Sequence, residues 1–176
     1  MRIRDKIKKP QRPVVAYEIL PPREKDGTLN TYAETISSLL SQTHIDAINI
    51  PEVHDEIGRG ERPVSNQERG EPRKFGMLLQ DIVGIEAIIN RVVVHMPMKK
   101  QMEWIQETHS KYEIDNLIIV GGESSKQQYP GPTVNESLKS ISEGNRHRKS
   151  NILCGGICIP SRKKESKNLI SKSKFA

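Results

Sequence analysis

The sequence predicts an α/β fold built on a parallel sheet, and three observations carry that expectation. Five short apolar runs, rich in Ile and Val and with little alternation, read as strands buried on both faces. Four of the five stop at a proline, which lacks the N–H needed to continue a ladder. Between the runs lie stretches whose apolar residues recur at helical spacing. Strand and helix alternating through five rounds imply right-handed crossovers between parallel strands.

In chain order, the first strand is Val14–Leu20, stopped at Pro21. Thr31 and Glu34 have capping-box spacing, and Tyr32, Ile36, Leu39 and Leu40 follow on one helical face. The second strand, Asp46–Ile50, stops at Pro51, and a short helix is expected over Phe75–Val83. The third strand, Arg91–Met96, stops at Pro97. Met98, Met102, Ile105, His109 and Tyr112 then recur at helical spacing. The fourth, Asn116–Val120, opens into Gly121-Gly122, after which Thr133 and Glu136 repeat the capping box ahead of Leu138 and Ile141. The fifth, Asn151–Ile159, stops at Pro160, and a basic helix carrying Leu169 and Ile170 is expected over Ser161–Phe175. Residues 1–13 read as a basic N-terminal tail, and residues 14–176 as one domain.

A chain of 176 residues, 34% hydrophobic, 4% aromatic and 28% charged, supports one domain with a modest core. It has no apolar run long enough for a membrane span and no apolar segment behind its basic N-terminus to make a secretory signal. Cys154 and Cys158 are too few for a disulfide framework, and Cys-x-x-x-Cys lacks the second pair a zinc site needs. Thiols in a reducing, cytoplasmic setting are expected. The 28 Lys plus Arg exceed the 22 Asp plus Glu, for a net charge of +6. These cations gather near the two ends and at residues 146–149 without interleaved aromatics, which argues against a nucleic-acid partner.

Two architectures accommodate five rounds: an open doubly wound sheet, or a (β/α)8 barrel of the TIM type left incomplete, since closure takes about 250 residues. The first turn, Pro21-Pro22-Arg23-Glu24, is not the Gly-rich phosphate loop of a dinucleotide-binding half, which weighs against the first. In both, chemistry gathers at the C-terminal ends of the strands. Those ends deliver Glu18, Asn49, His95 and the Gly121-Gly122-Glu123 loop from four successive strands. Glu18 lies inside an apolar strand, where burial would raise its pKa and make it a candidate general acid. The paired glycines would let a ligand approach the main chain closely.

These residues resemble those of the methylenetetrahydrofolate reductase family. Tyr17-Glu18-Ile19-Leu20-Pro21-Pro22 is similar to its first-strand motif, and Val92-Val93-Val94-His95 to its third-strand His segment. Asn116–Glu123 is similar to its fourth strand and the Arg-Gly-Asp run behind it, and Gly155–Pro160 to its fifth strand. The resemblance implies the barrel, about five of its eight units being present. It also implies FAD reduced by NAD(P)H, and hydride transfer that turns 5,10-methylenetetrahydrofolate into 5-methyltetrahydrofolate. Glu18 would protonate the folate, while Asn49, His95, Gly121, Gly122 and Glu123 would contact flavin. Gly121 stands where the family has Arg, Glu123 where it has Asp, and Ile159 where it has Tyr. Strands six to eight are missing, so the expectation includes a truncated, inactive chain, or one whose open sheet edges pair with a second copy or a partner chain.

Overall fold

The computed structural model describes residues 2–53, 68–122, 128–148 and 150–175. Five strands, β1 (Ala16–Glu18), β2 (Ala47–Pro51), β3 (Ala87–Val92), β4 (Asn116–Val120) and β5 (Leu153–Gly156), form one parallel sheet in sequential order. Six helices accompany them: α1 (Ile3–Lys8), α2 (Leu29–Leu40), α3 (Pro72–Val83), α4 (Met98–Tyr112), α5 (Val134–Arg148) and α6 (Glu165–Lys172). This is the architecture of an incomplete TIM-type barrel, as the alternation of elements predicted. The chain packs as two compact units, Met1–Ile89 with Tyr112–Ile114, and Asn90–Lys111 with Asp115–Ala176; the boundary falls inside β3.

In the first unit, β1 pairs with β2 in a register that sets Ala16 opposite Ala47, Tyr17 opposite Ile48 and Glu18 opposite Asn49. Ile48 and Ile50 of β2 are fully buried, with Ala33 and Ile36 of α2 and Phe75 and Leu79 of α3 also in the core. Thr28, not the expected Thr31, caps α2: its hydroxyl accepts from the Thr31 N–H, so the helix begins one turn earlier. Leu39, expected on the apolar face, is exposed, and Ala33 takes its place among the buried residues of α2. The α3 helix ends at Gly84 with φ +70°, a left-handed cap that most side chains resist.

The residues read as a basic tail are tied down. Ile3 of α1 is buried, and Lys6 Nζ and Arg12 Nη2 lie 2.9 and 2.8 Å from Asp46 Oδ1. The Val15 N–H, then Lys6 and Arg12, hold the Asp46 carboxyl down to about 2. Their charges thus form an internal anchor beside the first residue of β2.

In the second unit, β4 pairs with β5, Leu117 facing Cys154 and Ile119 facing Gly156. The α4 helix buries Gln101, Ile105 and Thr108 rather than the methionines picked out by spacing. The reason is Arg91, which is buried on β3: its Nε donates to Gln101 Oε1 at 2.9 Å and its guanidinium lies 4.1 Å over the Trp104 ring. Gln101 Nε2 in turn donates to the Val93 carbonyl at 2.7 Å. A buried cation thus draws polar residues into the helix face. The Thr133–Glu136 capping box forms as expected, with Thr133 N donating to Glu136 Oε2 at 2.8 Å and Glu136 N to Thr133 Oγ1 at 3.3 Å. On α6, Glu165 is buried and accepts from the Ile159 N–H, which, ahead of Asn168 and its cationic neighbours, lowers its pKa.

Two strands differ from expectation in ways that move candidate residues. The β1 strand is short, and Val14, Val15 and Tyr17 are exposed, because among the described residues β2 alone flanks it in the sheet. The β3 strand lies four residues earlier than expected: the Gly84 cap frees Ala87–Asn90 to pair, so the ladder is used up before His95. Among the described residues no helix is long and apolar enough to cross a membrane.

Candidate functional site

The candidate residues fall into two groups, one in each unit. Glu18, the last residue of β1, pairs with Asn49, the middle residue of β2, so their side chains leave the sheet on the same face. Asn49 Nδ2 donates to Glu18 Oε2 at 2.8 Å. A carboxylate only accepts, so this contact fixes the amide: its NH2 faces Glu18 and its Oδ1 turns away. That oxygen is buried and has no hydrogen-bond partner among the described residues. Glu18 itself is exposed, contrary to the expectation of a buried acid. The apolar neighbours Tyr17 and Val15 could not bury it, because they too face outward at a lightly covered edge.

Beyond β1 the chain turns through Pro21 and Pro22. Arg69, which no pattern in the sequence singled out, sends Nη1 to the Pro21 carbonyl at 2.9 Å, while Gly70 N donates to Pro22 O at 2.9 Å. Arg23 pairs with Arg69 in an isolated antiparallel bridge and engages its guanidinium with Asp26, Nε standing 2.6 Å from Oδ2 and Nη2 3.0 Å from Oδ1. That ion pair raises the pKa of Arg23 and lowers that of Asp26.

In the second unit His95 sits in the turn after β3, its ring edge-on to Tyr129 with centroids 5.7 Å apart. Gly121 and Gly122 follow β4 directly. The open side of Gly122, expected to admit a ligand, is occupied by the Tyr129 ring, with which any added Cβ would collide. Gly131 closes the loop onto the end of β3: its N–H donates to Val94 O at 2.8 Å, and a Cβ there would stand 2.6 Å from Met96 O. Glu123 lies outside the described residues. Among the described residues no three His, Cys, Asp or Glu side chains are grouped to hold a metal ion.

The first unit therefore offers a carboxylate hydrogen-bonded to an amide across β1 and β2, and a guanidinium anchored at Pro21 beyond β1. The second offers a half-buried imidazole against a tyrosine packed on glycine. Tyr129 was visible in the sequence only as a loop residue, and nothing local signalled that its ring would fold back onto Gly122.

No family model and no curated protein matches the chain. Among solved structures it is similar to an uncharacterized protein from Clostridium thermocellum, described as binding two copies of 5-methyl-5,6,7,8-tetrahydrofolic acid. The TM-score is 0.68 at 19% identity, over 98% of this chain and 55% of that one. The chain thus spans about half the length of that protein, and at this identity the likeness is one of fold.

Proposed function

We propose that the chain takes a reduced folate at the paired Glu18 and Asn49 of β1 and β2, the ligand class that its resemblance to the methylenetetrahydrofolate reductases implies. One observation carries the reading: the Glu18–Asn49 contact, which turns the amide NH2 toward the carboxylate and leaves the buried Asn49 Oδ1 without a partner among the described residues. A reduced pterin carries ring and exocyclic N–H groups, and both a carboxylate and an unmet amide oxygen are acceptors for such donors. A buried acceptor left unmet is costly, so a ligand donor at Asn49 Oδ1 gains more than one at a solvated oxygen. The folate-bound description of a structure with the same fold supports the same ligand class.

FAD and NAD(P)H enter only through the resemblance, where they supply the hydride. The glycine pair does not fit the flavin edge as it stands: an isoalloxazine laid on Gly122 would meet the Tyr129 ring first, and Gly121 brings no cation. Glu18 retains a role as the carboxyl group facing the folate, oriented by Asn49.

Calorimetric titration of the full chain with 5-methyltetrahydrofolate tests the reading. Saturable binding is expected, weakened about tenfold in Glu18→Ala, the scale of one charge-assisted hydrogen bond. No binding by the unsubstituted chain overturns it. A parallel titration with FAD is expected to show no uptake. Bound FAD that NAD(P)H bleaches and methylenetetrahydrofolate reoxidises would overturn the flavin-free reading and make the chain a reductase.

A second reading, a subunit that lends its open edge to another chain, is favoured by the exposed apolar side chains of Val14 and Val15, just before β1, and Tyr17 within it. Sedimentation equilibrium separates it from a lone chain: association is expected on the second reading, and a 20.0 kDa monomer at all concentrations refutes it.

A further inference from the structure

We infer that Arg69 seats the acidic end of the ligand whose pterin rests against Glu18 and Asn49, an inference that rests on the folate reading. The other cations with ion pairs in the first unit are engaged with acids: Lys6 and Arg12 with Asp46, Arg23 with Asp26, and Arg73 with Glu71. Arg69 has no carboxylate partner among the described residues. It is held by a hydrogen bond from Nη1 to the Pro21 carbonyl at 2.9 Å. Its Nε is buried and has no partner among the described residues.

The geometry of the guanidinium gives this arrangement a meaning. With Nη1 held by a carbonyl, the opposite edge, Nε with Nη2, is the one that accepts a planar oxyanion through two parallel N–H···O bonds. A cation with a buried, unmet donor is costly in the free protein, and a carboxylate oxygen removes that cost. The position also suits an elongated ligand. Pro21 is three residues beyond Glu18, and three extended residues span at most about 10 Å. The Arg69 guanidinium is therefore anchored on the segment that leaves the C-terminal end of β1, three residues on from Glu18. A folate bound with its pterin on that pair extends its glutamyl tail away from the pterin, with carboxylates at the far end. The Arg23–Arg69 bridge and the Gly70–Pro22 hydrogen bond pin the backbone that carries the guanidinium.

The test compares two ligands on the full chain by calorimetry: 5-methyltetrahydrofolate, and 6-methyltetrahydropterin, which has no carboxylate. Arg69→Gln is expected to weaken tetrahydrofolate at least about tenfold, as loss of a charged hydrogen-bonded pair does, and to leave tetrahydropterin unchanged. Arg69→Lys, which keeps the charge without the fork, is expected to fall between. If Arg69→Gln loses its circular dichroism, Arg69→Lys decides: full wild-type affinity for tetrahydrofolate overturns the seat, and a selective loss supports it. Tetrahydrofolate bound equally well by wild type and a folded Arg69→Gln removes the seat and leaves the folate reading standing. A wild-type chain that binds neither ligand removes both.

Discussion

Replacing Gln101 by Leu tests whether a buried polar relay, rather than apolar packing alone, holds β3 to α4. Gln101 is fully buried, accepts from Arg91 Nε at 2.9 Å and donates to the Val93 carbonyl at 2.7 Å. Leucine conserves most of the volume and removes both bonds. A lost hydrogen bond to a charged group costs about 1.5–3 kcal/mol, and a buried carbonyl left unmet about 1–3 kcal/mol. Water has little room to replace the amide at Val93 O, since Val93 is fully buried and Gly131 packs closely on that oxygen. Offset by the added apolar burial, the net loss is about 3 kcal/mol. For a chain of this size that lowers the melting temperature by roughly 6–12 °C. Trp104 is the single tryptophan and lies under the Arg91 guanidinium, so its fluorescence reports the transition at the perturbed site. Gln101→Glu keeps the acceptor for Arg91 but loses the donor to Val93, and is expected to lose about half as much. A shift below about 2 °C for Gln101→Leu would refute the reasoning.

Asp46 predicts an acid limb in stability. Its folded carboxyl titrates near 2, against about 3.9 for an unperturbed aspartate, so its contribution is complete above the higher value. That contribution drains away as pH falls toward the lower one. Circular dichroism along an acid titration is expected to show this loss, and Asp46→Asn to flatten it; an identical acid limb in the variant would contradict the assignment. Thr133→Ala removes the N-cap of α5 and is expected to cost about 1 kcal/mol in chemical denaturation. Glu136→Ala added to Thr133→Ala should cost less than the two single losses summed, because the capping box is reciprocal. Strict additivity would show the box to be inert.

Much of this fold was readable from short-range pattern. The strand–helix alternation, the α4 start behind Pro97, the β4 strand and the Thr133–Glu136 cap all depend on residues within a turn or a strand of one another. Sequence and structure part where a partner distant in the chain decides. The shift of β3 toward Ala87 follows from where Gly84 ends α3, and the inward face of α4 follows from the buried Arg91 rather than from methionine spacing. The site was readable as a set of strand-end positions. Glu18 and Asn49 do meet, because parallel pairing sets the end of β1 against the middle of β2.

What those positions do was decided by packing. Burial of Glu18 depends on what covers β1, and periodicity within a strand carries no record of its neighbours. Access to Gly122 depends on Tyr129, and the orientation of the Arg69 guanidinium on a carbonyl 48 positions away in the chain. Sequence alone therefore determined the kinds of element, their order and the strand ends where polar groups gather, since each rests on local hydrogen bonding and apolar spacing. Tertiary structure alone decided which of those groups are buried, partnered or left open, because desolvation and hydrogen bonding at a side chain are set by atoms that distant segments bring to it.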